Sequence, residues 1–148
     1  MSTNIRITRA AAADAAAVLQ LLSRNGLPTD GLLEHFDTAI VARDENRIVG
    51  CAALEVYRDG ALLRSVAVEA KDHGLGTRLT ESAIDLAATL SVRNLYLLTT
   101  TAERFFPKFG FRPIAREDVP ASVQASVEFQ SACPASAIVM SKLLSESG

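Results

Sequence analysis

Two hydrophobic periods alternate along the chain. Ile5-Arg6-Ile7-Thr8 switches between apolar and polar at every residue, the mark of a short half-buried strand. The alanine-rich stretch behind it is helical by propensity, with Asp14 placed to cap it and Val18, Leu19 and Leu22 turned inward. Asn25-Gly26 and then Pro28-Thr29-Asp30-Gly31 break the helix, and Leu32, Leu33 and Phe36 predict a second, short one. A break of this kind on a rigid scaffold is where a cover over a binding site is expected. Strand-like runs follow at 38–43, 48–57 and 62–68, joined by Asp44-Glu45-Asn46-Arg47 and Arg58-Asp59-Gly60, so an antiparallel meander is expected.

The period then changes from two to 3.6. Leu62, Leu63, Val66, Ala67 and Val68 are strand-like, with Arg64 and Ser65 set among them, and a polar turn follows. Gly74-Leu75-Gly76 opens a helix whose Leu75, Leu79, Ala83, Leu86 and Leu90 share one face. The apolar run at 94–98 lies parallel to 62–68 if that helix crosses over. Thr100-x-x-Glu103 matches a capping box for a helix holding Phe105, Phe106 and Phe109, which Pro107 shortens and Gly110 closes. Residues 119–129 hold a helical turn or two, and 137–144 a last strand.

The strand–glycine turn–helix unit is the first candidate for chemistry. The opening N–H groups of a helix have no intrahelical partners and stand at the positive end of its dipole. Gly74 and Gly76 leave those amides accessible, so a phosphate can rest there, with Lys71 and Arg78 adding positive charge. No G-x-x-x-x-G-K-[ST] string is present, and Leu79 stands where a dinucleotide fingerprint needs its third glycine.

Composition narrows the class. The 148 residues suffice for one domain spanning 1–148, with 49% hydrophobic and 22% charged residues. A net charge of −2 gives no basic surplus for nucleic acid, and no apolar run reaches membrane-spanning length. Cys51 and Cys133 fit neither a disulfide framework nor a metal pair. The expectation is a cytoplasmic protein with no metal, no nucleic-acid partner and no membrane partner.

The element order, Val66-x-Val68 before Lys71-Asp72-His73-Gly74-Leu75-Gly76, and the string Ala102-x-x-Phe105-Phe106-x-x-x-Gly110-Phe111 resemble the GNAT N-acetyltransferases. Lys71 stands for that family's usual Gln or Arg. The resemblance implies an α/β fold: a mixed, mostly antiparallel sheet splayed between the fourth and fifth strands, with helices on both faces. It implies acetyl-CoA as cosubstrate and a small-molecule amine as acceptor, a homodimer being left open. The loop Lys71, Asp72, His73, Gly74, Leu75, Gly76, Thr77 and Arg78 would hold pyrophosphate. Val66, Ala67 and Val68 would pair with pantetheine as an added strand does, helped by Thr101, Phe105 and Phe106. Finer strings, among them Gly26-Leu27-Pro28-Thr29, Arg64-Ser65-Val66-Ala67-Val68 and Glu128-Phe129 with Cys133-Pro134, are similar to acetyltransferases associated with arsenic resistance. An amino-acid-like compound or an organoarsenical is the acceptor that this implies. The Arg-Ser-Val-Ala-Val string is also similar to acetylglutamate-synthase-like relatives, although Leu62 stands where those carry Glu.

Phe106 occupies the position of the tyrosine that often serves as general acid in this family, and it has no proton to give. Tyr57, Thr100 and Cys133 are the substitutes, the last two also as acceptor contacts. Glu55 and Glu128 are the candidate bases, each with a solvated surface carboxylate as its ordinary reading. Arg64 in an apolar strand needs a partner, which a substrate carboxylate or an internal Asp or Glu supplies equally well. His73 can touch phosphate or be a solvated turn residue. His35 can be a base or an exposed helix-end residue, and Cys51 reads as core. Two other functions stay open: acyl-CoA binding without turnover, and acetylation of a peptide or protein.

Overall fold

The computed structural model describes residues 5–69, 74–100, 102–132 and 136–144, with backbone only at 131 and 132. Among these residues seven strands, β1 (Ile5–Arg9), β2 (Ala39–Asp44), β3 (Arg47–Tyr57), β4 (Gly60–Val68), β5 (Asn94–Thr99), β6 (Arg112–Pro113) and β7 (Ile138–Leu143), form one sheet in the order β1-β2-β3-β4-β5-β7-β6. Every pairing is antiparallel except β4 with β5. The helices are α1 (Ala15–Arg24), α2 (Leu75–Thr89) and the single turn α3 (Ala121–Gln124). Among the described residues no helix is long and apolar enough to cross a membrane.

The meander and the crossover helix follow the sequence pattern. Alternation along β2 sends Ile40 and Ala42 to the α2 face and Ala39 and Val41 to the α1 face. Leu62, Tyr96 and Val139 meet Val119 and Val123 of the α3 segment on that second face. Because the sheet is covered on both sides, its central strands are apolar almost throughout. Gly50 is required by close packing: a Cβ there would lie 2.8 Å from Leu79 Cδ1 and 3.2 Å from the Ala67 carbonyl.

Two irregularities shape the middle of the sheet. The β4–β5 ladder consists of Ala61↔Leu95 and Leu62↔Tyr96, after which β4 remains on β3 while β5 remains on β7. The sheet therefore opens beyond Leu62. In the same stretch the β3–β4 register slips between Cys51↔Ala67 and Ala53↔Arg64, and Ser65 takes φ +62°. The extra residue exchanges the faces of β4. Ala61 and Leu63 pack on the α2 core before it, and Val66 and Val68 do so after it.

Several local expectations are corrected. Asp14 makes no capping bond into α1; it accepts from the Ala11 N–H at 2.8 Å and pairs with Arg43, whose guanidinium holds the carboxyl below its ordinary value. The second helix is a 3-10 segment, Leu32–Thr38, with Leu33 exposed. Leu90 is the exposed C-cap of α2 rather than a core residue, and Ala87 takes its place on the buried face. The turn after β5 is capped by Thr99, not Thr100: Thr99 Oγ1 accepts from the Ala102 N–H at 2.9 Å. Only Phe106–Phe109 becomes helical there, as a 3-10 turn with Pro107 near its start. A proline lacks the N–H that a longer helix would need.

Candidate active site

The opening in the sheet holds two adjoining spaces. A groove of about 990 Å³ runs between Val66–Val68, the start of α2 at Gly74, Leu75, Gly76 and Thr77, and residues 102–105 with Lys108. A smaller cavity of about 430 Å³ lies deeper, between the bulged part of β4, the Leu97–Thr100 end of β5, the Gly26–Pro28 break and Glu128. Val66, Leu27, Ala102 and Phe105 line both, so the two are one cleft with two ends.

The groove is a main-chain site. Beyond Leu62, β4 is hydrogen-bonded on its β3 side alone among the described residues, which leaves the other edge facing the groove. Gly74 starts α2 with φ +71°, a conformation natural to glycine, and nothing lies within 4 Å of a Cβ built there. At Gly76 such a Cβ would come 3.7 Å from Phe105 Cζ. The exposed helix start, whose first N–H groups have no intrahelical partners, therefore looks into the groove. Lys71, Asp72, His73 and Thr101 lie outside the described residues. Arg78 does not line the groove: its guanidinium donates to the Ile5 carbonyl at 3.1 Å. Helical rotation of about 100° per residue carries it round toward β1. Arg104 and Lys108, which the sequence reading passed over, do line it, and the Lys108 ammonium stands 4.5 Å from the centre of the Phe105 ring.

The deep cavity is backed by side chains. Glu55 and Glu128 are not solvated; they are 1% and 5% exposed. Arg64 lies between them, itself buried, and all five of its N–H groups face acceptors. Nη1 donates to Glu55 Oε2 at 2.8 Å and to the Asp30 carbonyl at 2.7 Å. Nη2 donates to the Pro28 carbonyl at 3.1 Å and lies 3.3 Å from Glu128 Oε2, while Nε donates to Ser65 Oγ at 3.0 Å. The internal alternative for Arg64 is thus the one realised.

Glu55 also accepts from the Tyr57 hydroxyl at 2.5 Å and from the Ser126 hydroxyl. Burial raises its pKa, but the Ser126, Tyr57 and Arg64 donors outweigh that, and the net shift is downward. The Tyr57 hydroxyl is pushed up, by burial first and then by its bond to Glu55. His35 is half-buried rather than exposed. Its ring meets Tyr57 edge to face at 5.7 Å, and Nε2 is 3.8 Å from Glu55 Oε1.

Of the catalytic candidates, Glu128 alone lines the deep cavity; Glu55 and Tyr57 stand behind Arg64. Thr100 lines it too, and Cys133 lies outside the described residues. Phe106 forms part of the wall. Cys51 is core, as read, but it also donates its thiol to the Ser65 carbonyl at 3.2 Å, and burial pushes its pKa up to about 12.

Residues 35–113, just over half of the chain and spanning β2 to β6, match the family model described as acetyltransferase (GNAT) domain. The chain belongs to the GNAT acetyltransferase family. An amino-acid acetyltransferase of Aeromonas salmonicida is 32% identical over 95 residues, which are 62% of this chain and 21% of that protein. This GNAT chain thus spans about a fifth of the length of that relative. N-acetylglutamate synthase from Neisseria gonorrhoeae, complexed with coenzyme A and N-acetyl-glutamate, superposes with a TM-score of 0.81 at 21% identity, over 99% of this chain and 36% of that one. A Mycobacterium tuberculosis protein solved in complex with CoA gives a TM-score of 0.79 at 25% identity, over 95% and 99%. The open sheet is therefore the GNAT fold.

Proposed function

We propose that this domain transfers the acetyl group of acetyl-CoA to the primary amine of a small molecule. The observation that carries the reading is the joint between the two spaces: a free strand edge and a glycine-opened helix start on one side, a deep cavity with a carboxylate on the other. The Gly74–Thr77 amides suit a pyrophosphate and the Val66–Val68 edge suits the pantetheine amides. Solved neighbours that hold CoA support this use of the groove. The amino-acid acetyltransferases among the relatives support an amine acceptor. The resemblance to the arsenic-resistance branch adds organoarsenical amines to the compounds worth assaying.

Transfer forms one C–N bond and breaks one C–S bond. Of the two protons that an ammonium must lose, one ends on the departing thiol and the other on a base. Glu128, which lines the cavity, is the carboxylate that would take or relay it. Glu55 keeps its charge on Arg64 and is a positioning residue. A main-chain N–H of the bulged β4 segment would polarise the thioester carbonyl, and the bulge is pinned from both sides by Cys51 and Arg64.

Phe106 favours a second reading. Its phenyl ring occupies the cavity wall without a donor, which suits acyl-CoA binding without turnover. Thiol release from acetyl-CoA over a panel of small amines separates the two. Turnover above the rate of hydrolysis supports transfer, while tight CoA binding with no amine-dependent release supports the binding module.

A further inference from the structure

We infer that Ser126 is a positioning residue for Glu128: its hydroxyl ties the main chain at Glu128 to Glu55 and so sets where the Glu128 carboxylate meets the cavity. The inference rests on the acyl-transfer reading above and extends its machinery by one residue. Ser126 lies between α3 and the π-helical turn Glu128–Ala132, and it is 1% exposed. Turns of that kind are rare and gather at functional sites. The side chain lines neither space of the cleft, so its influence on a bound acceptor passes through a neighbour.

A hydroxyl has one proton to give and two lone pairs to offer. The Glu55 carboxylate, ionised on Arg64, can only accept, so the Ser126 proton goes to it. The Glu128 N–H donates to the same Ser126 Oγ at 3.1 Å. Glu55 Oε2 accepts from Arg64 Nη1 at 2.8 Å, and Arg64 Nη2 stands 3.3 Å from Glu128 Oε2. These four contacts close a ring that runs Ser126, Glu55, Arg64, Glu128 and back. Arg64 holds a carboxylate oxygen of Glu128, and Ser126 holds its main-chain end, so both are registered to one buried frame. The remaining bonds of Ser126 are main-chain ones: its N–H donates to the Val123 carbonyl at 3.0 Å, and its carbonyl accepts from the Gln130 N–H at 2.9 Å. Alanine keeps both of these and removes the hydroxyl alone. Proton transfer is sensitive to such a change, because a misplacement of about 1 Å can cost on the order of a hundredfold in rate.

The test is kinetic, on the whole chain with saturating acetyl-CoA. Thiol release is measured over phenylalanine, phenylalanine amide, phenethylamine and the corresponding leucine series, and the fastest of them serves as probe. Ser126→Ala should lower kcat at least about tenfold, with KM for the amine and Kd for CoA nearly unchanged. Ser126→Thr, which restores the hydroxyl, should recover most of that loss. In a Glu128→Gln background Ser126→Ala should cost less than about twofold more, because residues that act as a unit are not additive. Amide exchange gives a readout that needs no turnover. In the wild type the Glu128 amide should exchange at least about tenfold more slowly than in the denatured chain, and in Ser126→Ala it should lose that protection while Gln130 keeps its own. An unchanged kcat in Ser126→Ala overturns the inference and leaves the acyl-transfer reading standing. The same fractional loss with and without the Glu128 carboxylate also overturns it, since a merely structural role acts in both. An unprotected Glu128 amide in the wild type overturns it even where a variant fails to fold. If CoA binds and no amine releases thiol, the acyl-transfer reading falls, and the role of Ser126 falls with it.

Discussion

The two ends of the cleft recognise by different means. The groove relies on main chain: a strand edge without a partner among the described residues, two glycines and the first turn of a helix. The deep cavity relies on a buried ionic cluster assembled from residues 28, 30, 55, 57, 64, 126 and 128. A main-chain site needs only the right residue left bare at the right place, so a six-residue string announces it. A side-chain cluster needs four segments to arrive together, and no local string announces that.

The largest effect should come from removing the centre of the cluster. Arg64→Met leaves two buried carboxylates without their guanidinium and should cost about 3–5 kcal/mol, read by urea denaturation. Adding Glu55→Gln and Glu128→Gln to that variant should recover much of the loss. If Arg64→Met is as stable as wild type, the cluster does not hold the cavity together.

The groove should respond in the opposite way. Gly76→Leu extends a side chain toward Phe105 and into the space between β4 and α2. Its Kd for CoA, measured by calorimetry, should rise at least tenfold, or about 1.4 kcal/mol. The urea midpoint should move little, because the residue borders a groove rather than a packed core. A large loss of stability with unchanged CoA affinity would reverse the contrast between the two ends.

Acid sharpens the comparison further. The Glu55 carboxyl is held below its ordinary value of 4.5, so the folded protein binds this proton less readily than the unfolded chain. Its stabilising contribution is present above that pH and is lost as pH falls through the lower, folded-state value. Asp14, held below 3.8 by Arg43, adds to the same slope outside the cleft. Denaturation midpoints should therefore drop between about pH 5 and pH 3. Glu55→Gln should show a shallower drop, measured against its own value at pH 7. Identical slopes in the two proteins would place the titrating groups elsewhere.

The smallest effect concerns the bulge between the two ends. With its pKa at about 12, the Cys51 thiol should resist alkylation at pH 7.5 in a Cys133→Ala background until the protein is unfolded. Cys51→Ala should cost about 1 kcal/mol by urea denaturation, since one weak hydrogen bond to the Ser65 carbonyl is lost. Rapid labelling of the folded protein would mean that this part of β4 opens readily.

The sequence disclosed the meander, the crossover and the glycine turn because each has its own period or punctuation. The bulge at Ser65 was not visible, because an extra residue inside an apolar strand leaves the pattern apolar on both faces. Arg64 in an apolar strand calls for a partner, but its two carboxylates, Glu55 and Glu128, lie 9 and 64 residues away along the chain, and periodicity does not report contacts of that range. For the same reason Glu55 and Glu128 read as surface carboxylates and His35 as a helix-end residue. The cap falls on Thr99, the last residue of β5, one position before the Thr100 that the capping-box pattern picks out. Helical phase decides where Arg78 stands: one position past Thr77 its guanidinium reaches the Ile5 carbonyl instead of the groove wall.

The most direct measurement is a CoA titration followed by amide NMR on the uniformly labelled chain. The main-chain reading of the groove predicts the largest shifts at Gly74, Gly76, Thr77 and Val66–Val68, with the amides of Val41 in β2 and Leu143 at the end of β7, which line neither space, nearly still. Shifts concentrated away from these residues, or saturating binding that leaves the Gly74–Thr77 amides unmoved, would contradict it.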